Sequence, residues 1–298
     1  MSAVSRALSD AWQAQAEWSS RASTLKTRIA GQRSRVLYLV AAAAFFGGLA
    51  TWLTAAGTAS GTPVRVVSGT AAILAALAAT MQRAAGQVKT VEQWNRARSV
   101  SEALKEAVYR YRTGTGRYAA DRDNALRARV EEIVQRAQDL LAITVPNKSP
   151  SREPPPDLDA AAYVERRVKQ QIDGYYLKQV ATLSASRARW QLAEQGLLYS
   201  GAIIGALAAS LPAAPLAPWV AVATTIAGAV AAQAEASRFS HLIVSYQATA
   251  DRLRAIESQF TDDRARGLTI DFDALVNRAE DAISVENQAW MAAWSRNA

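Results

Sequence analysis

From Gln195 to Ala234 the chain contains no Asp, Glu, Lys, Arg or His. The run from Val36 to Gln82 carries one charge, Arg65, close to Pro63. A helix needs about 20 predominantly apolar residues to cross the hydrocarbon core of a bilayer. Each run is long enough for two crossings. Pro212, Pro215 and Pro218 interrupt the later run near its middle, and the Gly, Ser, Thr and Pro residues of 57–63 interrupt the earlier one. Such residues stop helices and favour turns. Each run is therefore predicted to be a hairpin of two spans, about 36–56 with 64–82 and about 196–213 with 217–234.

The charges that are missing from the spans collect at one side of them. Arg21, Lys26, Arg28, Arg33 and Arg35 precede the first span with no acidic residue among them. Arg83, Lys89, Arg96 and Arg98 follow the second, and Lys178, Arg187 and Arg189 precede the third. The hairpin tips hold only Arg65. Positive charge stays on the cytoplasmic side. The expectation is a multi-pass protein of the inner (cytoplasmic) membrane with both termini cytoplasmic. The net charge of +8 then belongs to topology and lipid headgroups, and no nucleic acid partner is expected. The first apolar run begins only near Val36, after Asp10 and Glu17, an order that does not fit a cleavable secretory leader. There is no cysteine, so disulfides and thiolate chemistry are excluded.

Outside the spans the pattern is helical. Leu8, Ala11, Trp18, Ala22, Leu25 and Ile29 recur at three- and four-residue steps, interrupted by Gln15. Only Gly31 stands against this helix running on into the first span. After the second span, Val91, Trp94, Ala97, Ser101, Leu104, Val108 and Tyr111 form a coiled-coil-like seam, predicted to pack on the N-terminal arm. Thr113-Gly114-Thr115-Gly116 should end that helix, and a further helix is expected over about 121–143. Residues 146–156 contain five prolines, which favours a semi-rigid extended linker. The plan then repeats. An arm over 159–195 carries Tyr163, Ile172, Tyr176, Val180 and Leu183, and a return arm carries Leu242, Tyr246, Leu253, Ile256 and Phe260. A closing helix runs over about 271–296. Trp94 corresponds to Tyr246, Leu104 to Ile256 and Val108 to Phe260 at one offset. The fold class expected is an all-α membrane protein, four transmembrane helices in two hairpins with long cytoplasmic helical extensions. Its units are 1–145, a linker at 146–157, and 158–298.

The chemistry-bearing residues do not converge. His241 is the single histidine and is expected to be packed or hydrogen-bonded near the end of span four. Gly114-x-Gly116 follows a helix and lacks the third glycine and the Lys-Ser/Thr ending of a phosphate loop. Glu131-Glu132 and Asp262-Asp263 sit in charged contexts that predict solvated surface. No catalytic group, metal site or cofactor is expected, and the chain is not read as an enzyme. No Asp, Glu or Lys lies in mid-span, which argues against proton relays and ion-coupled transport. Gly201 and Gly205 in span three, and Gly47 and Gly48 in span one, are small enough for close helix approach. They fit either a seam between subunits or packing inside a hairpin. If a pore forms, Arg65, Ser68 and Thr70 are the candidate lining; the bland reading has the hydroxyls bonded to their own helix carbonyls.

An arm, a two-span hairpin, a return arm with Trp94 and a seam, then Tyr111-Arg112-Thr113-Gly114 and Tyr118 resemble the SLATT superfamily. These are two-transmembrane domains associated with SMODS nucleotidyltransferases and SLOG sensors in bacterial conflict systems. The second half, closing with Glu286, Trp290 and Trp294 at four-residue spacing, resembles the same superfamily, giving two tandem units. The resemblance implies a membrane-perturbing or pore-forming effector in antiphage defence, acting in the lipid bilayer. Four narrow, Ala-rich spans cannot easily enclose a wide channel in one chain, so a homo-oligomer is expected. The resemblance also implies a trigger, a nucleotide signal or a nucleotide-signalling partner protein. The alternative is a constitutive oligomeric membrane scaffold or channel subunit whose cytoplasmic helices recruit partners.

Overall fold

A computed structural model describes residues 5–57, 61–85, 88–144, 152–211 and 214–295, without the side chains of 84, 85, 88, 89 and 285–295. Pro212, part of the proline-rich linker, part of the first hairpin tip and the side chains of Glu286, Trp290 and Trp294 therefore lie outside the described residues. Among the described residues every regular element is a helix. Four helices are long and apolar enough to cross a membrane, in agreement with the fold class expected from the charge-free runs.

The elements are α1 (Arg6–Ala55), α2 (Thr62–Ala85), α3 (Val88–Thr113), α4 (Arg122–Gln135), α5 (Ala160–Tyr163), a π-helical segment (Val164–Tyr176), α6 (Leu177–Ser210), α7 (Ala217–Ala236), α8 (Phe239–Ala265) and α9 (Phe272–Ser295). Short 3₁₀ turns lie at Gly116–Tyr118 and Gln138–Ala142. Polar side chains start several of these helices. Ser5 Oγ accepts from Leu8 N at 3.2 Å, Asp159 from Ala162 N at 2.8 Å and Asp271 from Ala274 N at 3.0 Å. Each satisfies a backbone donor that has no partner within the helix.

Helix α1 continues through Gly31 for 50 residues without a break. An isolated glycine costs a helix only about 1 kcal/mol, too little to end one whose apolar face is packed. Helix α3 does end where the glycines predict. Gly114 has a φ of +66° and its N–H bonds Arg110 O at 3.1 Å. A Cβ there would also collide with the Arg122 guanidinium. Arg238, with φ +49°, makes the break between α7 and α8, a left-handed conformation uncommon outside glycine.

Two compact units emerge, and they do not coincide with the two sequence halves. The first contains 1–27, 88–181 and 242–298; the second contains 28–87 and 182–241. The amphipathic arms of both halves thus pool in one unit, and the spans of both pool in the other.

In the first unit, Leu8, Trp18 and Leu25 of α1 share a core with Ala97, Leu104 and Val108 of α3, Leu126 and Ile133 of α4, and Leu140. The apolar stripe of α1 and the seam of α3 are thus two faces of one core. Gln15, the interruption in the stripe, is buried and donates through Nε2 to Ser101 Oγ at 3.1 Å. The polar position on one helix answers the polar position on the other.

In the second unit, α1 and α7 run antiparallel in contact. Arg33 Nη1 donates to Ala236 O at 3.0 Å near one end. Farther along, the Phe45 and Trp219 rings lie 5.6 Å apart, and Gly48 faces Val222. A Cβ at Gly48 would overlap Val222 Cγ2, whereas one at Gly47 meets nothing within 4 Å. In lipid, such close approach replaces the hydrophobic effect as the source of helix attraction. Gly48→Leu is expected to destabilise the second unit by about 1–3 kcal/mol through overpacking, while Gly47→Leu leaves it unchanged. Thermal unfolding of the two variants in detergent checks the difference.

Candidate functional site

The spans show what the second unit can do. In the most apolar 18-residue window of each of α1, α2 and the third spanning helix, only 6% of residues are buried within the chain. Val66, Ile73 and Leu77 of α2 and Ile203 and Leu207 of α6 are exposed. Apolar surface on this scale belongs against lipid or another protein surface.

The small residues named from the sequence divide three ways. A Cβ at Gly201 would stand 3.4 Å from Ala223 Cβ, and one at Gly205 would stand 3.7 Å from Val220 Cγ2. Both glycines thus serve packing of α6 on α7, inside one hairpin. Gly48 serves packing of α1 on α7, between the hairpins of the two halves. Gly47 faces open space.

Arg65 and Ser68 are exposed on α2, and Thr70 is half-buried with its hydroxyl donating to Val66 O at 2.9 Å. Thr51, Ser200 and Thr224 likewise donate to carbonyls four residues back. These hydroxyls satisfy themselves within their own helices.

The seam residues lie in the first unit. Leu104 and Val108 have no exposure, and Trp94 packs partly buried against their core. Tyr246 and Phe260 are buried and Ile256 is half-buried. Arg98 Nη2 donates to Tyr175 Oη at 3.1 Å and its Nη1 contacts Tyr246 Oη at 3.4 Å, joining α3 to the helices of the second half.

The strongest polar feature of the first unit was not visible as such in the sequence. Arg167, in the π-helical segment, and Glu280, on α9, are 2% and 1% exposed and form a two-pronged ion pair. Arg167 Nε reaches Glu280 Oε1 at 2.9 Å and Nη2 reaches Oε2 at 2.7 Å. Tyr163 Oη donates to Oε1 at 2.9 Å, and the Tyr109 ring of α3 lies 4.3 Å from Arg167 Cζ. The cluster thus draws on four helical segments, α3, α5, the π-helical segment and α9, and on both sequence halves. Arg110 extends it, pairing with Glu106 at 2.8 Å and bonding Asn277 Oδ1 of α9.

The electrostatics follow from burial. Removal from water works against the Arg167 charge, but Glu280 outweighs it and raises the Arg167 pKa. Burial, reinforced by Glu280, pushes the Tyr163 phenol well up, so it stays a donor. Burial, then the Arg167 charge, lowers the Lys105 pKa.

The signal for this cluster lies in the sequence of α9. Leu275, Val276, Ala279 and Ile283 make one buried face, and Glu280 sits on it. A carboxylate on an apolar face must find a partner. The pairs predicted to be solvated are so placed: Glu132 binds Arg129 and Arg136 near the surface. His241 is exposed rather than packed, because it lies just beyond the break at Arg238. The Gly114-x-Gly116 loop already holds an anion from its own chain, since Gly116 N donates to Asp273 Oδ1 at 2.8 Å. No cluster of metal-ligating side chains occurs among the described residues.

Glu280→Ala is expected to cost about 3–5 kcal/mol, because it leaves Arg167 charged and buried alone. Replacing both Arg167 and Glu280 with Met should recover most of that loss. Denaturant unfolding of the single and double variants measures it. Lys105 supplies a pH test. Its folded pKa lies below the ordinary lysine value, so between the two values the unfolded chain holds more protons and stability rises with pH. Lys105→Met should flatten that alkaline rise in a pH series of unfolding curves.

Comparison with known families assigns the two halves differently. Residues 163–290 match the family described as "SMODS and SLOG-associating 2TM effector domain 1". Residues 14–125 match a family of unknown function, DUF4231. The SLATT match therefore falls on the second half alone, although the Tyr111-Arg112-Thr113-Gly114 resemblance lies in the first. Neither the comparison with curated proteins nor that with solved structures finds a match. The match, the span pair of α6 and α7 that it encloses and the exposed apolar faces agree: residues 163–290 of the chain are a two-transmembrane effector domain of the SLATT superfamily.

Proposed function

We propose that the chain is a membrane effector of bacterial antiphage defence that perturbs or opens the bilayer when several copies assemble. The observation that carries this reading is the set of four apolar spans, exposed along most of their length and without a mid-span Asp, Glu or Lys. Spans of that kind offer surface for lipid and for one another, and little chemistry of their own. The effector class of residues 163–290 supports the same reading.

In this proposal the first half is a second, divergent unit of the same plan, and both termini lie in the cytoplasm of an inner-membrane protein. The arms of the first unit receive the trigger, a nucleotide signal relayed by a partner protein. Helix α1 and the helix of residues 160–210 each contribute to both units, so a change in the arms has a continuous path into the spans. Helix α2, with Val66, Ile73 and Leu77 exposed, faces neighbouring copies and brings Arg65, Ser68 and Thr70 to the opening.

Expression of the full chain in bacteria followed by phage challenge tests the reading, with membrane potential read by a voltage-sensitive dye. Depolarisation on infection is expected, and protection with an unchanged potential would sink the proposal. Constant depolarisation before infection would point instead to an untriggered channel. Ser68→Trp is expected to reduce the depolarisation while membrane insertion, read by fractionation, stays intact.

A further inference from the structure

The second unit contains a cleft of about 240 Å³ whose walls come from facing helices. Arg33, Val36, Leu37 and Val40 line it from α1, and Ala229, Ala232, Gln233 and Ala236 line it from α7, with Gln82 of α2 completing it. Both sets recur at three- and four-residue steps, so each is one continuous helix face. The helices run in opposite directions, which places Arg33 beside Ala236 at one end of the cleft and the apolar residues beyond.

We propose that this cleft binds one anionic phospholipid of the surrounding bilayer, with its phosphate on Arg33 and the upper part of an acyl chain between α1 and α7. Three observations support it. The first is charge complementarity. Arg33 is half-buried and lines the polar end of the cleft, and the Arg238 charge acts on it, so positive potential concentrates there. Planar guanidinium groups suit phosphate oxygens, and basic pockets between spans recognise anionic headgroups. The hydrogen bond from Arg33 Nη1 to Ala236 O also fixes the group in place.

The second observation is depth. Arg33 and Val40 are seven positions apart, a rise of about 10 Å along a helix. That matches the step from a headgroup phosphate to the upper acyl carbons at the rim of the roughly 30 Å hydrocarbon core. The third is shape. The α7 wall is mostly alanine, which leaves room for a chain, and Ala232 and Gln82 are exposed, so the cleft opens sideways toward lipid. This site stands apart from the proposed effector role, because a lipid can bind whether or not the spans ever open.

The test is native mass spectrometry of the full chain in detergent, with phosphatidylglycerol or phosphatidylcholine added. One phosphatidylglycerol per chain should survive where phosphatidylcholine is stripped. Loss of a charge-assisted hydrogen bond predicts roughly tenfold weaker retention in Arg33→Gln. Ala232→Trp should lower retention comparably without altering charge, and being at an exposed position it tests the cleft if Arg33→Gln does not fold. Arg35→Gln, exposed on the same helix but outside the cleft, should retain the lipid. Equal retention of both lipids, equal loss in Arg35→Gln, or full retention in Ala232→Trp would each overturn the proposal. Displacement of the lipid by millimolar inorganic phosphate would overturn it too, because the site would then read a free phosphate.

Discussion

In hydrocarbon a backbone N–H or C=O has no water to turn to, so a span must remain helical until it leaves the bilayer. That constraint shapes the rest of this chain. Helix α1 and the helical run of residues 160–210 do not stop at the edge of the apolar stretch, and each supplies residues to both compact units. Among the described residues, the chain leaves the helix near the spans where the backbone is helped to do so: at Gly57 and Gly61, before Pro218 at the start of α7, and at the left-handed Arg238. Even the hydroxyls of Thr51, Thr70, Ser200 and Thr224 turn back onto carbonyls of their own helices. Away from its Arg33 end the apolar unit is consequently simple in chemistry, and the buried ion pairing lies in the first unit.

The first unit shows the reverse economy of polar groups. Its core could have been wholly apolar, yet it buries Arg167 against Glu280 with Tyr163 and Tyr109 around them. A buried pair of this kind adds little net stability compared with apolar residues of similar size, because desolvation offsets the attraction. What it does supply is geometry. A two-pronged contact accepts one register between the π-helical segment and α9, and a shift of either helix would strand a charge. The π-helical segment itself is a rare form that tends to accompany functional positions.

How much of this was legible from the residues depended on the range of the signal. The spans could be read because a charge-free run is a local property with a physical threshold. The stripe from Leu8 to Ile29 and the seam from Ala97 to Tyr111 could be read because each repeats within one helix. Gln15 looked like a flaw in its stripe and proved to be the partner of Ser101, 86 residues away. Arg167 and Glu280 are separated by 113 residues, so the apolar face around Glu280 calls for a partner without saying which residue supplies it. The contact of α1 with α7 was equally hidden, since Gly48 has several acceptable partners until the other helices are in place. Local composition therefore revealed the elements, while pairings that cross the two halves required coordinates.

The contact of Gly48 with Val222 and of Phe45 with Trp219 has an arithmetical consequence. It joins a helix of the first hairpin to a helix of the second, so one polypeptide already holds a hairpin dimer at the high effective concentration of a tethered pair. The two members differ in sequence, and the contact surfaces they leave outward are not the same. Any closed ring made of whole chains must then count its hairpins in even numbers. Its rotational order is half of what the hairpin repeat alone would suggest, with two kinds of wall alternating around the circle.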